Sequence, residues 1–278
     1  MIKITKNRDR ELPTFANINL LGNCNANCYF CLGKDIKEEL KGKNQLEVHY
    51  KEWANIIKFI SLCKEKNIKN IYITGQTADG LQYKYLSELI TCLQTEGFKV
   101  GIRTNGYLFN QKESIINQLD AGVGYSIHTL KPEVSKQIMG SSFIPNWDYI
   151  LNNSGPNVRV SIVLNRYNKD EFYDLLDYIA SFKTVRYIQV RRISTDTRFE
   201  LLKEDIELYE NIYKEFKEKF EKTGQFYTAD QFNYKGKEVD FWRTVETSIG
   251  SLNYFTDGTI SDEYFIVEGY LKNRKEEK

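Results

Sequence analysis

The sequence predicts an α/β fold built around a parallel sheet, followed by a small β-rich carboxy-terminal extension. Short apolar segments of strand length alternate with amphipathic segments of helix length along most of the chain, which is typical of βαβ units. The chain has 278 residues, and α/β barrels of this length commonly form one domain. Near its carboxy-terminal end the sequence becomes aromatic and polar with hairpin-like turn signals, which favours antiparallel strands there.

The alternation can be followed in order along the chain. Strands are predicted at 15–21, 70–74, 98–103, 124–128, 158–164 and 187–191. Helical spacing of apolar residues predicts helices at 49–66, 86–93, 111–120, 131–139, 147–152, 172–179 and 206–220. Gly97 is placed to cap the second of these helices. In the extension, Asp257-Gly258 is a typical turn pair, which predicts a hairpin between 252–255 and Ile260.

Composition excludes several classes of protein. The formal net charge is +1 and the sequence pI is about 7.5, so there is no strong basic field of the kind that binds nucleic acid. No apolar segment is long enough to cross a bilayer, and the amino terminus lacks the apolar core of a signal peptide. Clustered cysteines also suit a reducing compartment. We therefore predict a cytoplasmic protein without membrane partners.

Three of the five cysteines lie close together, with the spacing Cys-x3-Cys-x2-Cys at Cys24, Cys28 and Cys31. They follow the first predicted strand directly, so they belong to a loop. Three thiolates on one loop can bind one iron–sulfur cluster and leave one iron open, because a [4Fe–4S] cluster normally takes four thiolates. A zinc site is the alternative, although structural zinc takes four ligands.

This motif resembles the cluster-binding loop of the radical S-adenosylmethionine (SAM) superfamily. The resemblance implies a partial (β/α)6 TIM-like barrel, with a [4Fe–4S] cluster and SAM as cofactors. It also implies that Phe30, just before the last cysteine, packs on the adenine. The amino and carboxylate groups of SAM would bind the fourth iron. Cys63 and Cys92 lie on apolar helical faces and are predicted to be buried thiols without a metal.

The loop after the second strand carries the next part of the resemblance. The family commonly has Gly-Gly-Glu-Pro there, which holds the amino group of SAM. Gly75 matches this pattern, whereas Gln76 and Thr77 depart from it. Asp79 is the nearest replacement carboxylate, and the alternative is that Asp79 is only a turn residue. Asn105 belongs to a Thr-Asn-Gly turn after the third strand, as in many family members.

Residues that follow the later strands complete the predicted site. Ser126 and His128 end the fourth strand, where the family often has a polar contact to SAM. His128 is a possible acid–base residue, or else an ordinary core histidine. Asn165 is predicted to bind the nucleoside, whereas Asn168 could cap the next helix. Arg191 and Arg192 end the sixth strand, and the inward one would bind the SAM carboxylate or an anionic substrate group. A surface ion pair is the alternative for both.

The predicted domain organisation follows from these elements. Residues 1–13 form a lead-in, 14–220 the radical SAM barrel, 221–271 an extension that closes the barrel or recognises substrate, and 272–278 a charged tail. The extension contains no cysteine, so no second cluster is expected there.

The predicted function is that of a single-cluster radical SAM enzyme. It would cleave SAM reductively to a 5′-deoxyadenosyl radical and abstract hydrogen from an organic substrate, which could be a small molecule, a nucleoside or a peptide side chain. An electron donor such as flavodoxin or ferredoxin would be its partner. Activation of a glycyl-radical enzyme, a non-catalytic iron–sulfur redox sensor and a zinc-stabilised binding module are the alternatives.

Overall fold

The computed structural model describes residues 15–155, 157–195, 197–226, 229–243 and 251–261. The described chain divides into two compact units. The N unit comprises residues 15–25, 32–123 and 251–261, and the C unit comprises residues 26–31 and 124–243. Each unit therefore contains a piece of the cysteine segment, which changes unit between residues 25 and 26.

Strands and helices alternate through both units. The strands are β1 (Phe15–Leu20), β2 (Asn70–Gly75), β3 (Lys99–Thr104), β4 (Gly122–Ser126), β5 (Val158–Val163), β6 (Val185–Arg191), β7 (Lys222–Phe226), β8 (Ala229–Tyr234), β9 (Lys237–Trp242), β10 (Leu252–Phe255) and β11 (Ile260–Ser261). The helices are α1 (Ile56–Glu65), α2 (Leu86–Thr95), α3 (Phe109–Ile116), α4 (Pro132–Met139), α5 (Trp147–Asn153), α6 (Phe172–Ala180) and α7 (Phe199–Lys219).

The N unit has the strand order β11-β10-β1-β2-β3. β10, β1, β2 and β3 are parallel neighbours, and β11 is antiparallel to β10. Ile18 lies opposite Ile73, which lies opposite Ile102, and all three side chains are buried. Asn17 and Asn253 lie on the other face, where their side chains are joined by a 2.9 Å hydrogen bond.

The C unit has the strand order β5-β6-β9-β8-β7. β5, β6 and β9 are parallel, whereas β8 is antiparallel to both β9 and β7. One face of this sheet is apolar, and its Phe241 packs against Phe172 of α6 and against Phe216 of α7. The opposite face carries buried polar side chains. β4 begins in the N unit and ends in the C unit.

These observations confirm the predicted fold class. Parallel strands alternate with helices, the strand order within neither unit closes on itself, and antiparallel strands follow residue 220, as expected of a partial barrel with a β-rich extension. The hairpin predicted around Asp257-Gly258 is present as β10 and β11. Gly97 follows α2 with a φ of +90°, a conformation that favours glycine.

Several predicted helix bounds were wrong. The helix predicted at 49–66 is interrupted: a 3-10 turn spans Tyr50–Glu52, and α1 begins only at Ile56. The interruption arises because the His49 side chain caps this turn and Asn55 adopts a left-handed φ of 61°. The helix predicted at 111–120 ends at Ile116, and α7 begins at Phe199 rather than at 206.

Among the helices that the structure describes, none combines the length and apolar character needed to span a membrane. The cytoplasmic location inferred from the sequence stays a prediction.

Candidate functional site

The first cysteine of the motif lies in the N unit, between two anchored neighbours. The Gln82 side chain donates to Asn23 O at 3.0 Å and accepts from Asn25 N at 3.2 Å. Asn105 Nδ2 donates to Asn25 Oδ1 at 2.8 Å and lies 4.0 Å from Cys24 Sγ. The backbone on both sides of Cys24 is therefore held, while the Cys24 side chain remains exposed.

The other two cysteines lie in the C unit, on a segment anchored to the end of α4 and to Arg198. Asn27 N donates to Met139 O at 2.8 Å, and Tyr29 N donates to Ile138 O at 3.0 Å. The Arg198 guanidinium donates to Tyr29 O and to Cys31 O, both at 2.8 Å. These contacts fix the backbone that carries Cys28 and Cys31.

All five cysteines lie in the described residues, and none forms a disulfide. Cys24, Cys28 and Cys31 are exposed or half-buried, whereas Cys63 is fully buried. Burial raises the pKa of the Cys63 thiol to about 12, so this side chain remains a neutral thiol at physiological pH. Cys63 thus behaves as a small apolar core residue.

The loop after β2 makes a tight turn in the N unit. A Cβ atom on Gly75 would lie 1.7 Å from Ala78 O, so only glycine fits without moving the loop. The Gln76 side chain donates to Asn19 Oδ1 at 2.9 Å. Thr77 Oγ1 accepts from Gly22 N at 3.3 Å, which ties this loop to the start of the cysteine segment.

Asp79 is buried and accepts hydrogen bonds from three groups of the N unit. Its Oδ1 accepts from Leu81 N at 2.9 Å and from Thr104 Oγ1 at 2.7 Å, and its Oδ2 accepts from Asn105 N at 2.6 Å. Burial raises the pKa of this carboxyl group, although the three hydrogen bonds act in the opposite direction. This geometry favours the alternative that Asp79 organises the turn, and a direct contact to SAM stays a prediction.

Asp79 and Gln82 form a capping box at the 3-10 turn Gly80–Gln82. Gln82 Oε1 accepts from Asp79 N at 2.8 Å as well as from Asn25 N. Gln82 therefore both shapes the loop after β2 and anchors the segment around Cys24.

Phe30 and His128 meet in the C unit. Their ring centroids are 5.1 Å apart, with the rings nearly perpendicular. Ser126 is half-buried at the last position of β4, and His128 follows two residues beyond it. His128 Nδ1 accepts from Val163 N at 3.1 Å, and burial lowers the pKa of the imidazole to about 4. His128 is consequently neutral at physiological pH, which favours the core-histidine alternative.

The loop after β5 is fastened by two asparagines. Asn165 is fully buried, its Oδ1 accepts from Tyr167 N at 3.0 Å, and its Nδ2 donates to Val163 O at 2.8 Å. Asn168 was predicted to cap the next helix, but its side chain makes no cap hydrogen bond. It instead accepts from Asn165 N and donates to His128 O, because the loop turns back toward β4.

Arg191 and Arg192 have different surroundings. Arg191 Nη2 lies 3.3 Å from Gln189 Oε1, on the polar face of the sheet. Arg192 Nη1 lies 3.2 Å from Glu210 Oε1 of α7, on the helix-covered face. Arg191 is therefore the inward residue of the pair, and Arg192 fits the ion-pair alternative.

A match to a protein-family model shows the family to which this chain belongs. The sequence model described as "Radical SAM superfamily" matches residues 18–179, which include all three clustered cysteines and the loops after β2, β3, β4 and β5. The chain belongs to the radical SAM superfamily. Members of that superfamily use a [4Fe–4S] cluster and SAM and need an electron donor and a substrate.

Solved structures of SuiB from Streptococcus suis share the fold of this radical SAM chain. The SuiB crystal structure matches with a TM-score of 0.60 at 14% identity, over 92% of this chain and 61% of that chain. SuiB bound to S-adenosylmethionine gives a TM-score of 0.62 at 14% identity, with coverages of 92% and 61%. SuiB bound to the precursor peptide SuiA gives 0.57 at 13% identity, with coverages of 92% and 60%.

The radical SAM chain thus spans about three fifths of the length of SuiB. A comparison with curated protein sequences gives no match.

The residues present fit the cofactors of a radical SAM protein. Three thiol side chains are carried on backbone that is held from both ends, and the turn at Gly75 is too tight for a side chain. Within the described residues, no three His, Cys, Asp or Glu side chains are gathered into a recognisable metal site. The assignment of the three cysteines as cluster ligands therefore rests on their spacing and on the family.

Sequence reasoning missed Gln82 and Arg198, which anchor the radical SAM cysteine segment. Gln82 lies 57 residues from Asn25, and Arg198 lies 167 residues from Cys31. The only local signal for Gln82 was its position three residues after Asp79, the spacing of a capping box. Arg198 had no local signal, because its partners are backbone carbonyls.

Proposed function

We propose that this chain binds one [4Fe–4S] cluster through Cys24, Cys28 and Cys31, cleaves SAM reductively, and abstracts a hydrogen atom from an organic substrate. The observation that carries the proposal is the family match over residues 18–179, because it includes the Cys-x3-Cys-x2-Cys motif. The bound cluster and SAM would together supply the 5′-deoxyadenosyl radical. The chain itself would bind the cluster and SAM, orient them and shield them from solvent.

Positioning of the cysteines is the first task of the chain. Gln82 and Asn105 hold the residues on either side of Cys24, and Arg198 holds the carbonyls of Tyr29 and Cys31. Such contacts around metal ligands restrict their orientation and reduce the entropy lost on binding. The Arg198 guanidinium also adds positive charge beside ligands that become thiolates.

Binding of SAM is the second task. The tight turn at Gly75 would leave backbone groups accessible to the amino end of SAM, with Gln76 and Thr77 beside it. Asp79 would act through the turn that it holds together. Phe30 would pack on the adenine, with Ser126 as a polar group for the nucleoside, and the fully buried Asn165 would act through the loop that it fastens. Arg191, rather than Arg192, would face an anionic group.

The substrate is proposed to be a small molecule, a nucleoside or a peptide side chain. SuiB has been crystallised with a precursor peptide, which makes peptides the first class to test. A flavodoxin or ferredoxin would supply the electron. Activation of a glycyl-radical enzyme would require a protein substrate instead, and a redox sensor would bind the cluster without consuming SAM.

Metal analysis tests the cluster. After anaerobic reconstitution the protein should contain about four irons per chain, as one cubane requires. Cys24→Ala, Cys28→Ala and Cys31→Ala should each lose the cluster, whereas Cys63→Ala and Cys92→Ala should retain it. Zinc in place of iron and sulfide, or retention of the cluster in all three motif variants, would overturn the assignment.

Product analysis tests the reaction. With a strong reductant and SAM, the reconstituted protein should release 5′-deoxyadenosine slowly, and faster when a substrate is present. S-adenosylhomocysteine as the main product would indicate methyl transfer. A protein that holds the cluster and never cleaves SAM would support the sensor alternative.

A further inference from the structure

The C unit has a polar sheet face that carries Arg191 together with side chains that have no part in the proposed cofactor site. Facing residues of neighbouring strands form a buried row on it: Ser161, Gln189, Asp240 and Gln231. Gln231 Nε2 lies 3.3 Å from Asp240 Oδ1. Two residues further along β6 and β9, the same face carries Arg191 and Trp242, because side chains alternate along a strand.

Arg191 and Trp242 are direct neighbours across β6 and β9. They face each other in the strand register, and Arg191 Cζ lies 6.0 Å from the centre of the Trp242 ring. The only hydrogen bond of the Arg191 side chain within the described residues goes to Gln189, an uncharged acceptor. Arg191 therefore has no carboxylate partner there, in contrast to Arg192, which is paired with Glu210.

Both side chains have a buried N–H donor without an acceptor in the part of the chain that the structure describes. These donors are Arg191 Nε and Trp242 Nε1. Trp242 is only 6% exposed. Buried donors normally find an acceptor, and neither arginine nor the indole N–H can accept a hydrogen bond itself. Two such donors side by side are suited to an oxygen acceptor, and the guanidinium favours an anionic one.

The surroundings of the pair are apolar on the side of β7 and β8. The Phe226 ring lies 5.7 Å from the Trp242 ring, edge to face, and Phe226, Ala229 and Trp242 form one buried cluster. A ligand at this position would thus place its charged group on Arg191 and its carbon skeleton against aromatic rings.

The position within the fold favours a substrate over SAM. Arg191 and Trp242 are the last residues of two parallel strands, and chemistry in barrels of this kind occurs at that end of the strands. Both residues lie beyond residue 179, where the match to the superfamily as a whole ends. Residues outside that shared part are suited to recognise what differs among the members, which is the substrate.

We propose that Arg191 and Trp242 bind the carboxylate group of the substrate, and that the adjoining carbon skeleton packs on Trp242 and Phe226. The inference that the ligand of this site is the substrate rests on the proposed function. The anion site itself depends only on the C unit.

The test uses phenylacetate as the probe and phenylacetamide as its uncharged counterpart. The protein has three tryptophans, so 15N-labelling of tryptophan gives three indole N–H signals, and Trp242→Phe identifies the one from Trp242. We expect phenylacetate to shift that signal saturably at millimolar concentration, with at least tenfold tighter binding than phenylacetamide. Equal binding of the two probes, or no saturable shift, would overturn the proposal.

Variants of the two adjacent arginines provide the matched control. Arg191→Met should weaken phenylacetate binding at least tenfold, Arg191→Lys should weaken it less, and Arg192→Met should leave it unchanged. Binding that is unaffected by Arg191→Met, or that is lost equally in Arg192→Met, would contradict the assignment. The indole signal of each variant also reports whether the C unit is still folded.

A third titration separates the substrate from SAM. In the reconstituted protein, saturating SAM should leave phenylacetate binding intact. If SAM abolishes it, Arg191 binds the carboxylate of SAM and the substrate assignment is wrong. Phenylacetate binding can also be titrated on cluster-free full-length protein, where it does not require the proposed function. A protein that binds phenylacetate but never cleaves SAM would contradict the proposed function alone, and one that cleaves SAM but does not bind phenylacetate would contradict the anion site alone.

Discussion

Asp79 has a carboxylate that accepts three hydrogen bonds while being almost fully buried. The sequence indicated Asp79 because of its charge, since this chain has Thr77 where the family usually has a glutamate. In the folded chain both oxygens are occupied by groups of the N unit. A residue of this kind influences a ligand through the loop that it holds.

Asp79→Asn should therefore lower stability as well as SAM affinity. The amide replaces one acceptor oxygen by an NH2 group, which would face a backbone N–H or the Thr104 hydroxyl. An unsatisfied buried group costs about 1–3 kcal/mol, measurable by thermal unfolding of the cluster-free protein. Calorimetry should show a larger loss of SAM affinity than in Thr77→Ala. Weaker SAM binding with unchanged stability would support a direct charge contact instead.

His128 gives a pH-dependent prediction. Burial lowers its pKa from the ordinary 6.5 to about 4 in the folded state. Between pH 4 and pH 6.5 the unfolded chain binds more protons than the folded chain, so protonation of His128 favours unfolding. The stability that depends on neutral His128 is therefore complete above pH 6.5 and is lost as the pH falls toward 4. The contribution amounts to roughly 3 kcal/mol at most.

The matching variant is His128→Asn, whose Oδ1 can still accept from Val163 N. Denaturant unfolding at pH 7 and pH 4.5 should show a smaller loss of stability in the variant than in the parent protein. Release of 5′-deoxyadenosine should persist in His128→Asn. Loss of this release in a stable, cluster-loaded variant would restore the acid–base role considered from the sequence.

At the scale of elements, α7 is connected to the loop after β5 by the ion pair between Asp205 and Arg166. Arg166 binds Asp205 through its backbone N at 2.7 Å and its Nη2 at 2.8 Å, and Asp205 is fully buried. Asp205 also contributes to the raised pKa of Tyr29, after burial as the main cause. Tyr29 belongs to the cysteine segment, so one carboxylate on α7 affects two loops of the C unit.

Asp205→Ala should destabilise the protein by about 1–3 kcal/mol, because it removes the fully buried carboxylate that accepts from the backbone N–H and the guanidinium of Arg166. Glu204→Ala is the matched control: Glu204 is paired with the same Arg166 at 2.9 Å but is 69% exposed in its side chain. Exposed pairs contribute about 0–1 kcal/mol. Chemical denaturation of both variants measures the difference in their free energies of unfolding. Equal effects would show that the Asp205–Arg166 pair contributes no more than an exposed ion pair.

The elements that were predicted correctly share a local origin. Alternation and helical spacing are visible within a window of ten or so residues, which is why strands such as β2 and β5 were found within one or two residues. The break between Tyr50–Glu52 and α1 was missed because it depends on the backbone conformation of Asn55. The contacts that organise the site, such as Arg198 to Cys31, join residues far apart in sequence and depend on tertiary structure.

At the scale of the whole molecule, the segment after residue 220 contributes sheet strands to both units. β9 is a central strand between β6 and β8 in the C unit, and β10 lies beside β1 in the N unit. The predicted division into a barrel of 14–220 and a separate extension stays a prediction. These pairings indicate that the extension contributes to stability as well as to any recognition of substrate.

Truncation after Phe220 should therefore prevent stable folding. It removes the parallel partner of β6 and the parallel partner of β1, which exposes two rows of unpaired backbone groups. Circular dichroism and size-exclusion chromatography should show a disordered or aggregated product. A monodisperse, cooperatively unfolding 1–220 fragment that still binds iron would show that the barrel is independent of the extension.

The pairing of β1 with β10 also has a consequence for synthesis on the ribosome. Asn17 and its partner Asn253 are 236 residues apart in the chain. At a translation rate of about 5–20 residues per second, β1 is made roughly 10 to 50 seconds before β10. During that interval the edge of β1 that later pairs with β10 has unpaired backbone groups, to which a chaperone or another nascent chain can bind. The yield of folded protein should consequently depend on how quickly the last strands are translated.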